Sequence, residues 1–99
     1  MGALTHVALF TWKVATTDQD VQALCDGLAT LPGLIPEIKR YQFGPDAALT
    51  EGNADFAVVA EFADVDGYRA YASNPDHLDV IARLVKPIVA QRTAVQLQA

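Results

Sequence analysis

YRAYASNPDHLDVI, residues Tyr68 to Ile81, is the stretch from which the rest of the chain can be read. Asn74 is a good helix N-cap and Pro75 a good first helical residue, because proline lacks the N–H that would go unpaired there and its φ is already helical. His77 is therefore the third residue of a new helix. Upstream, Asp66 to Ala72 reads as a shorter helical segment that ends at Ser73-Asn74-Pro75, since the residue before a proline is pushed out of the α region. The corner between the two segments can bring the Tyr71 phenol and the His77 imidazole together. No other part of the sequence sets two proton-exchanging side chains so close.

Before the corner, Asp55 to Phe62 alternates Phe56, Val58, Ala60 and Phe62 against Ala57, Val59 and Glu61, the period of a strand. After it, Leu78, Ile81, Leu84, Val85 and Ile88 continue at helical spacing, with Pro87 near the end, and Thr93 to Leu97 reads as a short last strand. Towards the N-terminus, Thr5 to Lys13 is a strand with His6, Ala8, Phe10 and Trp12 on one face and Val7, Leu9, Thr11 and Lys13 on the other. Thr16 or Thr17 then caps a helix carrying Asp18 and Asp20 in its first turn and Val21, Leu24, Cys25, Leu28 and Leu31 on one side, which Pro32-Gly33 should stop. Ile38 to Gly44 is a further strand, with Tyr41 and Phe43 on one face, and a polar loop runs from Gly44-Pro45-Asp46 to about Asn53.

The order is βαββαβ, which predicts an α+β fold of the ferredoxin-like sandwich type with an antiparallel sheet, in one domain spanning residues 1–99. Right-handed crossovers place both helical layers on one face of the sheet. Val7, Leu9, Ala57 and Val59 on the opposite face then lack a cover from their own chain, so a homodimer packed sheet to sheet is expected.

Composition narrows the function. The 99 residues are 52% hydrophobic and 19% charged, with a net charge of −5. That excess of acid argues against a nucleic-acid or anionic-membrane partner. Cys25 is the only cysteine, which excludes an internal disulfide and suits a reducing compartment. The opening MGALTHVALF lacks the features of a signal peptide, and no apolar run reaches the roughly 18 residues of a membrane span. A soluble, cytoplasmic protein is the expectation. Two histidines far apart, without a third ligand at suitable spacing, argue against a zinc site, and no cofactor is implied.

Thr5-His6-Val7, Leu34-Ile35-Pro36, Phe43-Gly44-Pro45-Asp46 and above all Tyr71-Ala72-Ser73-Asn74-Pro75-Asp76-His77 resemble the stress-responsive A/B barrel domain family, also called Dabb, whose members are dimeric α+β barrels. The resemblance covers essentially the whole chain. It implies that Tyr71 and His77 fall on the catalytic pair of a member that closes a linear polyketide by aldol condensation, and that His6 falls on a histidine of that member's first strand. Asn74 stands where that cyclase has a second histidine and Phe56 where it has another polar residue, which makes this pocket less polar.

From the residues themselves, His6, Ala8, Phe10, Tyr41, Phe56 and Val58 should face the helices, and Leu24, Cys25, Leu28, Ile81 and Leu84 should face back. Any gap between them is an apolar pocket with a few polar groups, suited to a small apolar or aromatic ligand. Near a helix N-terminus the macrodipole disfavours imidazolium, so His77 should be neutral and able to accept a proton, with Tyr71 as a hydrogen-bonding partner. Plainer roles also fit. His77 can bond backbone at the corner, His6 can be a satisfied core histidine, Tyr71 a core phenol and Cys25 a small hydrophobe. Asp76 can help orient the site or, like Asp64, Asp66 and Asp79, be a helix-terminal charge. An acid/base enzyme of cyclase, aldol or isomerase type, a non-catalytic binding module and a structural stress protein all remain open.

Overall fold

The first strand does most to hold the molecule together. In the computed structural model, which describes residues 2–99, β1 (Leu4–Trp12) lies inside a four-stranded antiparallel sheet of order β2-β3-β1-β4. It pairs on one side with β3 (Phe56–Phe62), His6 opposite Ala60 and Phe10 opposite Phe56, and on the other with β4 (Val89–Gln98), His6 opposite Gln96 and Phe10 opposite Arg92. A register shift between Thr11 and Trp12 ends the regular pairing. β2 (Arg40–Pro45) completes the far edge, with Tyr41 opposite Ala60.

Helix α1 (Asp18–Leu34) connects β1 to β2. Thr17 closes a capping box, its hydroxyl accepting from the Asp20 N–H at 3.1 Å while the Asp20 carboxylate accepts from the Thr17 N–H at 3.0 Å. The expected stop at Pro32-Gly33 does not occur; α1 runs on to Leu34. Pro32 removes only the bond to the Leu28 carbonyl, close to an end where carbonyls go unpaired in any case. Leu31 and Ile35 are fully buried and joined by a 2.9 Å backbone bond, and they anchor the last turn.

Between β3 and β4 the chain forms α2 (Val65–Ser73), α3 (Pro75–Val80) and a π-helical turn (Ile81–Val85). Asp64 caps α2, accepting from the Gly67 N–H at 2.8 Å, and Asn74 caps α3, accepting from the Asp76 N–H at 2.8 Å. Asn74 is extended, with φ −63° and ψ 132°, as a residue before proline should be. Leu78, expected on the apolar stripe, is instead half exposed at 49%. β4 is twice the length that Thr93 to Leu97 suggested. Its sequence is polar and shows little alternation, but β1 offers a complete ladder along which it pairs.

All the helices cover one face of the sheet. Phe10, Phe56, Phe62, Leu24, Leu28 and Leu31 form the centre of the core there, each 5% exposed or less. On the other face Val7, Ala57 and Val59 are half-buried at most, and Leu9, Val95 and Leu97 are exposed. The register of β4 adds Val95, paired with Val7, and Leu97, paired with Thr5, to the uncovered apolar surface.

Candidate functional site

A cavity of about 290 Å³ lies between the sheet and the α2–α3 corner. β1 contributes His6, Ala8 and Phe10 to its wall and β3 contributes Val58. These are alternate residues, so strand periodicity alone aims them inward. The helical side supplies Leu28 of α1, Tyr68 and Tyr71 of α2, His77 and Val80 of α3, and Ile81 and Val85 of the π turn. Lys86, and Val89 and Arg92 of β4, complete the lining.

The corner brings Tyr71 and His77 into ring contact, with centroids 4.0 Å apart and planes 32° from parallel. The Asn74 cap and the Pro75 start turn the chain so that a residue at the end of α2 meets one in the first turn of α3. The two side chains share no hydrogen bond. Tyr71 Oη bonds Tyr41 Oη at 2.9 Å, and His77 Nδ1 lies 3.4 Å from the Ala72 carbonyl oxygen. A carbonyl only accepts, so this contact places the imidazole proton on Nδ1 and leaves Nε2 as the basic nitrogen. His6 is arranged the other way round. The Gln96 side-chain amide donates to His6 Nδ1 at 2.8 Å, which puts the proton of His6 on Nε2. The His6 ring lies 5.1 Å from that of Tyr68 and 6.4 Å from that of Tyr71.

Burial sets the charge states. It pushes His6 down to about 4, with Arg92 and then His77 adding to the effect. His77 is also held below the ordinary histidine value, chiefly by burial; the backbone contacts to Ala72 and Tyr71 oppose the shift and Arg92 reinforces it. The neutral state expected for His77 thus comes mainly from desolvation. Burial raises both phenols, Tyr71 and Tyr41, above the usual tyrosine range. At neutral pH the wall holds two neutral imidazoles and the protonated phenol of Tyr71.

Eight of the twelve residues expected at the site converge on the cavity: Tyr71, His77, His6, Ala8, Phe10, Leu28, Val58 and Ile81. Leu24 and Phe56 do not; both are sealed in the core, 0% and 1% exposed, Phe56 stacked on Phe10 with centroids 6.2 Å apart. Tyr41 lies behind Tyr71, touching it through the phenol pair. Leu84 turns toward α1, where its Cδ1 occupies the space beside Gly27. The reason is the π turn: its extra residue carries Val85 to the place that an α-helix would give Leu84. Asp76 is exposed and bonds through its backbone to Asn74, not to His77.

Tyr68, Val80, Val85, Lys86, Val89 and Arg92 line the cavity without having been expected there. Tyr68 was accessible, because i and i+3 share a helix face and Tyr71 had been placed. Arg92 was hidden by starting the last strand at Thr93. Among the described residues no three His, Cys, Asp or Glu side chains converge to hold a metal ion, and no helix is long and apolar enough to cross a membrane.

The fold and this corner define an α+β protein of ferredoxin-like architecture with a cavity between sheet and helices. Residues 4–99 match the Stress responsive A/B Barrel Domain family (Dabb), and the chain belongs to that family. It is similar to a dimeric ferredoxin-like protein of unknown function from Thermobifida fusca, at 43% identity and a TM-score of 0.92, covering 99% of this chain and 92% of that one. The fold is shared with a hydroxynitrile lyase from Passiflora edulis, at 15% identity and a TM-score of 0.85 over 99% of this chain and 94% of the lyase. It is shared too with SnoaB, a cofactor-independent oxygenase from Streptomyces nogalater, at 15% identity and a TM-score of 0.77 over 100% of this chain and 94% of the oxygenase. No curated protein sequence matches the chain.

Proposed function

We propose that the chain is a cofactor-independent acid/base enzyme of cyclase, aldol or isomerase type acting on a small, largely apolar, polyketide-like carbonyl compound. The observation that carries this is the contact of Tyr71 and His77 on the wall of an otherwise apolar cavity, with His77 Nε2 left without a proton. His77 takes a proton from the carbon next to the carbonyl. Tyr71 donates to the oxygen on which charge develops, its own proton freed for that task when Tyr41 acts as donor in the phenol pair. His6, with its proton on Nε2, is a second donor on the same wall. A lyase and a cofactor-independent oxygenase with this fold support the reading that such a scaffold can house catalysis.

We further propose that the working unit is a homodimer packed through the uncovered sheet face, as the apolar surface there and the dimeric Thermobifida fusca relative suggest.

The test is to screen aromatic and polyketide-like carbonyl compounds by thermal shift and to assay binders for deuterium exchange at the carbon next to the carbonyl. Placed proton-transfer groups are typically worth about 10² to 10⁴ in rate, so His77→Ala should slow exchange by about that factor with folding nearly intact, and Tyr71→Phe should slow it with little effect on binding. Binding without exchange above the buffer rate would replace the enzyme with a binding module. Such a module is what the Nδ1 contact to Ala72 and the Tyr41–Tyr71 pair would serve if they only held the corner.

A further inference from the structure

The cavity carries a charge pattern that acid/base chemistry on a neutral carbonyl compound does not require. Lys86 and Arg92 both line it, and no aspartate or glutamate does. This occurs in a chain with twelve acidic and seven basic residues. The ion pairs among the described residues are Arg40 with Glu61 and Arg83 with Asp79; Lys86 and Arg92 belong to neither. Two cations on an apolar wall repel one another and lack a counter-charge within the site.

Their position follows from two features of the backbone. Arg92 faces Phe10 across the β1–β4 ladder and so shares the inward face, while Gln96, four residues on, faces His6. At a strand rise of about 3.4 Å per residue, the two ends of this row lie about 14 Å apart. Lys86 follows directly on the π turn, where the Lys86 N–H donates to the Ile81 carbonyl at 2.9 Å. Arg92 therefore enters the cavity wall opposite Phe10, and its charge reaches the imidazoles of His6 and His77 on the same wall.

We propose that the ligand is a keto acid, its carboxylate held by Arg92 and Lys86 and its carbonyl separated from that group by a short apolar spacer. This rests on the function proposed above and narrows its substrate class. A planar guanidinium beside an ammonium suits a carboxylate, with Arg92 able to bond both oxygens. The anion also answers the positive field that Arg92 exerts on His77, so an occupied site should hold a more basic His77 than an empty one.

The probes are 5-oxo-5-phenylpentanoate, its primary amide and its methyl ester, titrated into the protein by calorimetry, with the methyl signals of Leu28, Val58 and Ile81 followed by NMR to locate binding. The acid should bind at least about tenfold more tightly than the amide at low ionic strength, and the preference should shrink as salt is added. Arg92→Gln with Lys86→Gln should abolish the preference while the amide still shifts the same methyl signals; both side chains are exposed, and an unchanged melting temperature confirms folding. Equal affinity of acid and amide in the natural protein, or a preference that survives the double substitution, overturns the keto-acid assignment and leaves the carbonyl site standing. Failure of all three probes to move those signals overturns the site reading and the keto-acid assignment with it.

Discussion

His6 shows how a single side chain can be legible in position and hidden in chemistry. Strand alternation alone put it on the inward face beside Ala8 and Phe10, and it lies there, 4% exposed. Its proton position was not accessible, because it depends on Gln96, 90 residues away, which only the register between the first and last strands sets opposite His6. Its suppressed basicity makes a pH prediction. The unfolded chain takes up a proton near pH 6.5 while the folded chain resists until about 4, so stability is complete above that window and is lost as pH falls through it. A difference of that size is worth on the order of 3 kcal/mol, and His77, lowered in the same direction, adds to the loss. Urea melts at pH 7 and pH 4.5 should therefore show a larger acid loss in the natural protein than in His6→Gln, which cannot take up that proton. Equal losses would place the His6 imidazole in water.

Among the elements, the α2–α3 corner was the most legible and the π turn the least. The corner announces itself through local chemistry: a capping asparagine, a proline that fixes both itself and the residue before it, and a histidine two positions on. The π turn has no such signature, since one extra residue in a helical run changes neither composition nor hydrophobic content. Extrapolating 3.6-residue periodicity across it gave Leu84 the place held by Val85. Helix α1 errs in the opposite sense, because Pro32 is a strong local signal that the burial of Leu31 and Ile35 outweighs. The corner can be tested through its cap. Asn74→Ala removes the acceptor for the Asp76 N–H and should cost about 0.5 to 2 kcal/mol in chemical denaturation, whereas Asn74→Asp, which retains an acceptor, should cost little. If the alanine variant is as stable as the natural protein, water caps α3 as well as Asn74 does.

At the scale of the molecule, element order and the right-handed crossover rule were enough to give the topology, the side on which the helices lie and the uncovered face. The extent of that face was not, because Val95 and Leu97, although within the expected strand, are assigned to it only by their pairing with Val7 and Thr5. The proposed dimer makes the face testable. A glutamate at residue 59, introduced as Val59→Glu, would be buried without a partner, and such burial costs several kcal/mol, comparable to the whole stability of a small domain. Light scattering should then find monomer or unfolded chain in place of dimer. A Val59→Glu protein that stays dimeric with normal stability would move the interface elsewhere.

The sheet that separates the cavity from the uncovered face is one polypeptide layer thick, and β1 contributes to both sides at every second residue. Its sequence is thus two messages interleaved letter by letter. His6, Ala8 and Phe10 face the cavity proposed to take the ligand; Thr5, Val7 and Leu9 lie on the face proposed to meet a second subunit. On the proposed function and dimer, substitutions along this strand should sort by parity. Even-numbered changes should alter a response to ligand concentration, and odd-numbered ones a response to the concentration of the protein itself.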